Sequence, residues 1–358
     1  MGGQLTDKVN SFLKQDPLLL SIGGQGVMGS NGEVWDVFNP SDGKVLARVS
    51  LGTAEDVDRA AEAAQEAFRK WSLMMPSERA VLMHRLADLM ERDFDTLAQL
   101  ESLDVGKALV NAEGFDIPFG IECVRYFADL ASRAVYSVPL PVKNIEARSI
   151  KVPYGVCGFV FPWNFPFDLF QWGVMPALAA GNTVVVKPSE LTPLTTLYMA
   201  KLAEEAGIPA GVINVVVGTG PVVGEAVARH PLVRRMSFTG SPGVGKLVGG
   251  ICGERLIPCK LELGGKGAAV VFDDVDVSSV AAGLAGAITL NTGQVCCTAT
   301  RWIIHENIYD EFVSRVKEIL EKVRIGPGIE RSTEMGPVVS PAQQERILGY
   351  FAKGLQEG

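Results

Sequence analysis

Apolar positions recur at helical spacing between residues 53 and 135. Val57, Ala60, Ala61, Ala64, Phe68 and Trp71 share one face, and Thr53 with Asp56 makes a capping-box-like start. A second helix is predicted from about Ser77 through Leu82, Leu86, Leu89, Phe94 and Leu97, and a third over about 112–133. Pro139 and Pro141, followed by alternation over 145–150, then predict an extended ribbon within 134–152. From Val156 the spacing changes. Short all-apolar runs at 156–161, 183–186, 213–217 and 235–238 alternate with helical stretches at about 169–180, 193–206, 221–229 and 242–252. Such alternation means a parallel sheet covered on both faces. A second αβ region starts near Gly264, with strands at 268–272 and 301–304 and helices at 277–290 and from Asn307. The fold class is therefore α/β, with a Rossmann-type parallel sheet and a second α/β domain.

Ligands of such sheets sit beyond the carboxyl ends of the strands. Here those ends read Phe161-Pro-Trp-Asn, Lys187-Pro-Ser-Glu, Gly218-Thr-Gly and Phe238-Thr-Gly-Ser, all carrying glycine, proline, hydroxyl or charge. Gly240-Ser-Pro-Gly-Val-Gly-Lys246-Leu247 nearly spells a P-loop, but Leu247 stands where the magnesium-binding hydroxyl belongs. Gly218-x-Gly220-x-x-x-Gly224 misses the dinucleotide fingerprint by one residue. Both still offer a glycine-rich strand-to-helix turn, whose exposed amides hold phosphate oxygens. Ser241 suits a helix N-cap and a phosphate contact equally.

Composition narrows the function. Hydrophobic residues make up 47% and charged residues 21% of the 358 residues, the profile of a soluble globular enzyme. The net charge of -8 argues against nucleic acid and anionic membrane as partners. Leu18, Leu19 and Leu20 are too few for a signal peptide or a span. Met1-Gly2 with Thr6 fits the loose N-myristoylation pattern, but no polybasic stretch supports an anchor, and a plain Gly-Gly start is favoured. Six scattered cysteines are not a disulfide framework and suit a reducing cytoplasm. Three histidines without metal spacing argue against a metal site.

Asn291-Thr-Gly-Gln-Val-Cys296-Cys297 places cysteines on a small polar loop after a helix. A nucleophilic cysteine needs that exposure and a lowered pKa. In Leu261-Glu262-Leu263-Gly-Gly, a carboxylate at an apolar strand end suits a base held in a partly dry site.

These segments resemble the aldehyde dehydrogenase superfamily from about Phe38 to the end of the chain. The resemblance rests on Phe161-Pro-Trp-Asn164-Phe-Pro, Lys187-Pro-Ser-Glu190, Phe238-Thr-Gly-Ser241, Glu262-Leu-Gly-Gly and Gly293-Gln-Val-Cys296, in the family's order and spacing. It implies NAD-dependent oxidation of an aldehyde to an acid. Cys296 matches the nucleophile, Asn164 the oxyanion donor and Glu262 the water-activating base. Lys187 and Glu190 match the contacts to the adenosine ribose. A carboxylate there favours NAD over NADP. Phe161, Trp163, Ser189, Gly220, Gly224, Phe238, Gly240, Ser241 and Leu263 complete the implied cofactor site. Phe165, Leu169, Trp172 and Cys297 are the implied walls of the substrate channel, which favour an apolar or cationic aldehyde.

The resemblance divides the chain into a helical part of the cofactor domain (1–133), an oligomerisation ribbon (134–152), a NAD-binding domain (153–264) and a catalytic domain (265–358). Family chains continue beyond Gly358, so the catalytic domain is expected to be incomplete. Gly267-Ala268-Ala269 also departs from the family's polar residue and proline or asparagine. A homodimer or homotetramer is the expected full-length assembly. Two rival readings are an inactive family member kept as a binding module and a CoA-acylating enzyme; Glu262 argues against the second.

Overall fold

The computed structural model describes residues 4–358; Met1-Gly2, half of the acylation-like pattern, lies outside the described residues. The helical stretch forms as the apolar spacing requires, over Ala54–Trp71, Pro76–Arg92, Phe94–Val105 and Ile117–Arg133. Asp56 accepts from the Thr53 backbone N–H at 2.9 Å, which starts the first of these helices. The second predicted helix is two helices. Asp93 leaves helical geometry at φ -103° and ψ 22°, and its buried carboxylate is bonded to Lys8, Arg92 and Tyr198. Those tertiary partners override a periodicity that runs through the break.

The main sheet has seven strands. Five are parallel, in the order Cys259–Leu263, Val233–Gly240, Val156–Val160, Thr183–Lys187 and Ile213–Val215. Two antiparallel strands that apolar spacing did not reveal, Leu20–Ile22 and Gln25–Val27, extend it beyond Ile213–Val215. A further unforeseen hairpin pairs Val34–Phe38 with Val45–Ser50. The central strand Val156–Val160 is the switch point: the chain moves outward on one side of it, then returns to form Val233–Gly240 on the other. Sheets of this kind take their ligands at that point, here between the turn after Val160 and the turn after Gly240. The helix Pro166–Ala179 packs over the middle of the sheet so closely that a Cβ on Gly173 would stand 2.8 Å from the Phe161 ring.

The ribbon forms as Ser137–Leu140 paired with Ala147–Ile150, exposed along its length. After Gly264 the strands Gly267–Val271 and Ala299–Ile304 make a separate parallel pair. The helices Val277–Thr289 and Tyr309–Leu320 cover one face of it through Val277, Ala281, Phe312 and Val316. Val270, Phe272 and Ile303 lie exposed on the other strand faces. Pro341–Glu357 forms a helix. No helix among the described residues is long and apolar enough to cross a membrane.

Candidate active site

Cys296 and Cys297 are both solvent-exposed on the loop that follows Leu290–Gly293. The turn is sharp because Asn291, Thr292 and Gly293 all adopt left-handed backbone, at φ 48°, 58° and 73°. For a β-branched residue such as Thr292 that conformation is costly and persists only where neighbours enforce it. They do so here. The Asn291 amide donates to the Asn164 carbonyl at 2.7 Å, and the Asn164 amide donates to the Gln294 carbonyl at 2.8 Å. Gln294 in turn donates to the Asn291 carbonyl and accepts from the Val339 N–H at 3.0 Å. Thr292 donates its hydroxyl to the Gly336 carbonyl at 2.9 Å. Asn291, Thr292 and Gln294 thus hold the cysteine loop. The motif displayed them, but nothing in their spacing showed that they would clasp a residue 127 or more positions earlier.

Two expectations about the chemistry need correction. The Cys296 thiol lies above the ordinary cysteine range, not below it. Partial burial is the largest cause and repulsion from Cys297 the next, while loop amides donating to the sulfur oppose both. Glu262 is not in a partly dry site. It is exposed on the edge strand Cys259–Leu263, in register with Thr239, and its carboxylate pairs with Lys260 at 3.2 Å.

The switch-point side carries the predicted cofactor residues. Lys187 ends its strand in register with Val160, is buried, and donates to Glu190 at 2.9 Å. Burial lowers its pKa and the Glu190 carboxylate opposes that. Ser189 is buried and accepts from the Leu191 N–H, fixing the turn that presents Glu190. Trp163 is pinned by its carbonyl, which accepts from the Thr192 hydroxyl. Phe161 donates its N–H to the Lys187 carbonyl. Across the switch point, Ser241 caps the helix Pro242–Glu254, accepting from the Val244 N–H, which leaves its own hydroxyl hydrogen free. Gly240 has no room for a Cβ beside Phe238, and Leu263 closes on Gly245. Gly220 and Gly224 bound a short π-turn; a Cβ on Gly220 would meet open space. A free hydroxyl donor at a helix N-terminus, with a carboxylate beside a buried lysine at the neighbouring strand end, fits a dinucleotide's phosphates and ribose hydroxyls.

The implied channel residues separate. Phe165 is the buried N-cap residue of Pro166–Ala179 and lies under the Lys107 ammonium, 4.1 Å from its ring centroid. Leu169 is half-buried against the core. Trp172 is exposed and joins Phe115 and Phe119 in an aromatic row, with centroid spacings of 5.6 and 5.9 Å. Phe115 and Phe119 escaped the sequence reading because they fall within an ordinary helical pattern.

Residues 27–358 match the profile of the aldehyde dehydrogenase family. Phenylacetaldehyde dehydrogenase of Pseudomonas fluorescens is 41% identical over 350 residues, which cover 96% of this chain and 70% of that protein. An aldehyde dehydrogenase of Emericella nidulans is 43% identical, over 96% of this chain and 69% of its own length. A solved NAD+ complex of aldehyde dehydrogenase from Bacillus cereus superposes with a TM-score of 0.97 at 38% identity, covering 100% of this chain and 73% of that one. The chain belongs to the aldehyde dehydrogenase family, whose members oxidise aldehydes to acids, here with NAD.

Proposed function

We propose that Cys296 is the nucleophile of this NAD-dependent aldehyde oxidation, Asn164 its oxyanion donor and Glu262 its base. The clasp between Asn164 and the Gln294 carbonyl is the observation that carries the reading. It fixes a side-chain amide beside the cysteine loop from the rigid sheet domain. The Cys296 thiolate attacks the aldehyde carbon, and the new alkoxide accepts from the Asn164 amide and the Cys296 backbone N–H. One N–H of the Asn164 amide holds the Gln294 carbonyl, and the second serves the substrate oxygen. NAD, when bound, supplies the acceptor for the hydride that leaves the tetrahedral carbon. A thioester then remains on Cys296. Glu262, released from Lys260, takes a proton from water, whose oxygen attacks the thioester, and the acid departs as the thiol is restored.

Lys187, Ser189, Glu190 and Ser241 hold the adenosine ribose and phosphates in this reading, with Phe161, Trp163, Gly220, Gly224, Phe238, Gly240 and Leu263 shaping the site. Residues 153–264 act as the cofactor domain, 265–358 as catalytic domain. The aromatic row of Phe115, Phe119 and Trp172 supports an aromatic or other apolar aldehyde, in keeping with the phenylacetaldehyde named for one relative. Leu169 and Cys297 complete that wall. The exposed ribbon over 134–152 supports homo-oligomer formation, and six free cysteines support a cytoplasmic setting.

Trapping the thioester tests the assignment. Glu262→Gln given aldehyde and NAD should accumulate one acyl group, mapped by mass spectrometry to the peptide containing Cys296. An acyl group on Cys297, or rapid release of free acid, would overturn it.

A further inference from the structure

Beneath the Asn164 turn lies a group of buried charges that the reaction does not use. Lys107 follows Gly106, whose φ of +84° ends the helix Phe94–Val105. Its ammonium is 0% exposed and bonds Glu101 at 3.0 Å and Asp116. Glu101 also accepts from the Thr195 hydroxyl. Asp168, in the first turn of Pro166–Ala179, is buried with neither carboxylate oxygen partnered, and Asp116 Oδ2 and both amide atoms of Gln171 are also unpartnered. An unpaired buried carboxylate is too costly to be an accident of packing.

The Gly106–Lys107 turn touches both halves of the site. On one side the Lys107 ammonium stands over the Phe165 ring, next in sequence to Asn164. On the other, Gly328 and Gly336 pack so closely that a Cβ on either would meet the Lys107 or Gly106 carbonyl at 2.4 and 1.9 Å. Gly336 is also the residue whose carbonyl receives Thr292 of the cysteine loop. We propose that Lys107, Asp116 and Asp168 form a buried positioning unit that keeps Asn164 in register with the Cys296 loop. This rests on the reading of Asn164 as the oxyanion donor.

One proton completes the unit. Held as a carboxylic acid, Asp168 donates to Asp116, so that Asp116 answers both Lys107 and Asp168. The surroundings require it: Glu101, Asp116 and Asp168 share the cation Lys107, with the Cys123 thiol also near Asp168. Burial, then Asp116, holds the Asp168 carboxyl well above the usual range. Burial raises Asp104, which accepts from the Leu194 N–H, and also Glu101.

The test compares Asp168→Asn, whose amide still donates to Asp116, with Asp168→Ala and Lys107→Met in the full chain. The infrared difference spectrum of wild type minus Asp168→Asn at neutral pH should show the carbonyl band of one protonated carboxylic acid. Asp168→Asn should keep kcat within about twofold. Asp168→Ala and Lys107→Met should lose tenfold or more in kcat, in line with about a hundredfold for a displacement of about 1 Å, with aldehyde KM little changed. The amides of the Asn291–Cys297 loop should exchange faster in those two only. Should Lys107→Met fail to fold, the Asp168 pair and the infrared band still decide. A missing band, or Asp168→Asn as impaired as Asp168→Ala, would overturn the proposal. Asn164→Ala separates the two readings: if it leaves turnover intact the oxyanion assignment fails, and if it alone abolishes turnover the positioning unit fails.

Discussion

The segment before Gly264 and the segment after it are packed to different depths. The first surrounds a seven-stranded sheet with one continuous apolar core that runs from Val9 to Cys252. The second has two paired strands, two helices on one side and a cluster of four buried apolar residues, Val277, Ala281, Phe312 and Val316, among the described residues. The active site spans the seam. Asn164 stands on the deep core, and Cys296 on the shallow one. The nucleophile therefore takes its precision from the other segment, through the reciprocal amide bonds of Asn291, Asn164 and Gln294. The stretch 325–339 adds a strap: the Leu109 N–H donates to the Gly328 carbonyl, and Arg331 pairs with Glu113 through both guanidinium nitrogens, at 2.8 and 2.7 Å.

The largest effects should come from breaking the two sides of the seam one at a time. Cys296→Ser should lower aldehyde-dependent NADH formation by a factor on the order of 10³ or more, whereas Cys297→Ser should keep most of it. Asn164→Ala should cost about 10² to 10³, the range for loss of one oxyanion donor. Steady-state kinetics with NAD binding as a control would read both. Cys297→Ser as damaging as Cys296→Ser would shift the nucleophile by one residue.

A smaller effect should appear in the shallow core itself. Phe312 is fully buried and meets the Trp302 ring edge-on at 5.8 Å. Phe312→Ala should cost about 3–5 kcal/mol, and so small a cluster has few neighbours to collapse into the gap. Hydrogen exchange should then show the peptides over 277–316 opening while those over 156–240 stay protected, with cofactor affinity nearly unchanged. Simultaneous opening of both segments would mean that the seam couples them into one cooperative unit.

The deep segment was also the more legible one. Its parallel strands announce themselves as all-apolar runs because both faces are buried, and the residues at their carboxyl ends follow from the topology. The strands Leu20–Ile22 and Gln25–Val27 were missed because three-residue strands carry no periodicity, and the break at Asp93 because its cause lies in Lys8 and Tyr198. At the site, Cys296, Asn164 and Glu262 could be picked out, but not their environment. Whether a thiol is raised or a carboxylate dry depends on what surrounds it in space. The sequence neighbours of Lys107 likewise say nothing about Phe165, which lies 58 positions later and under its charge.

The smallest effect concerns the pH at which Cys296 becomes reactive. Burial and Cys297 raise its pKa in the folded chain, so the folded state holds that proton longer than the unfolded state does. Two consequences follow from the sign. The thiolate, and with it the rate of alkylation by iodoacetamide, should still be climbing as pH passes the ordinary cysteine value of about 8.5. The folded loop should also lose stability as pH rises above that value, because the unfolded chain releases its proton first. Cutting the clasp with Asn164→Ala should relieve the burial of the sulfur and bring the half-maximal pH back toward the ordinary value. Mass spectrometry of alkylated peptides over a pH series would follow Cys296 and Cys297 separately. A Cys296 profile already level below about pH 8.5 would show that the loop, with no help from cofactor or base, holds the thiolate better than the arrangement of burial, Cys297 and Asn164 allows.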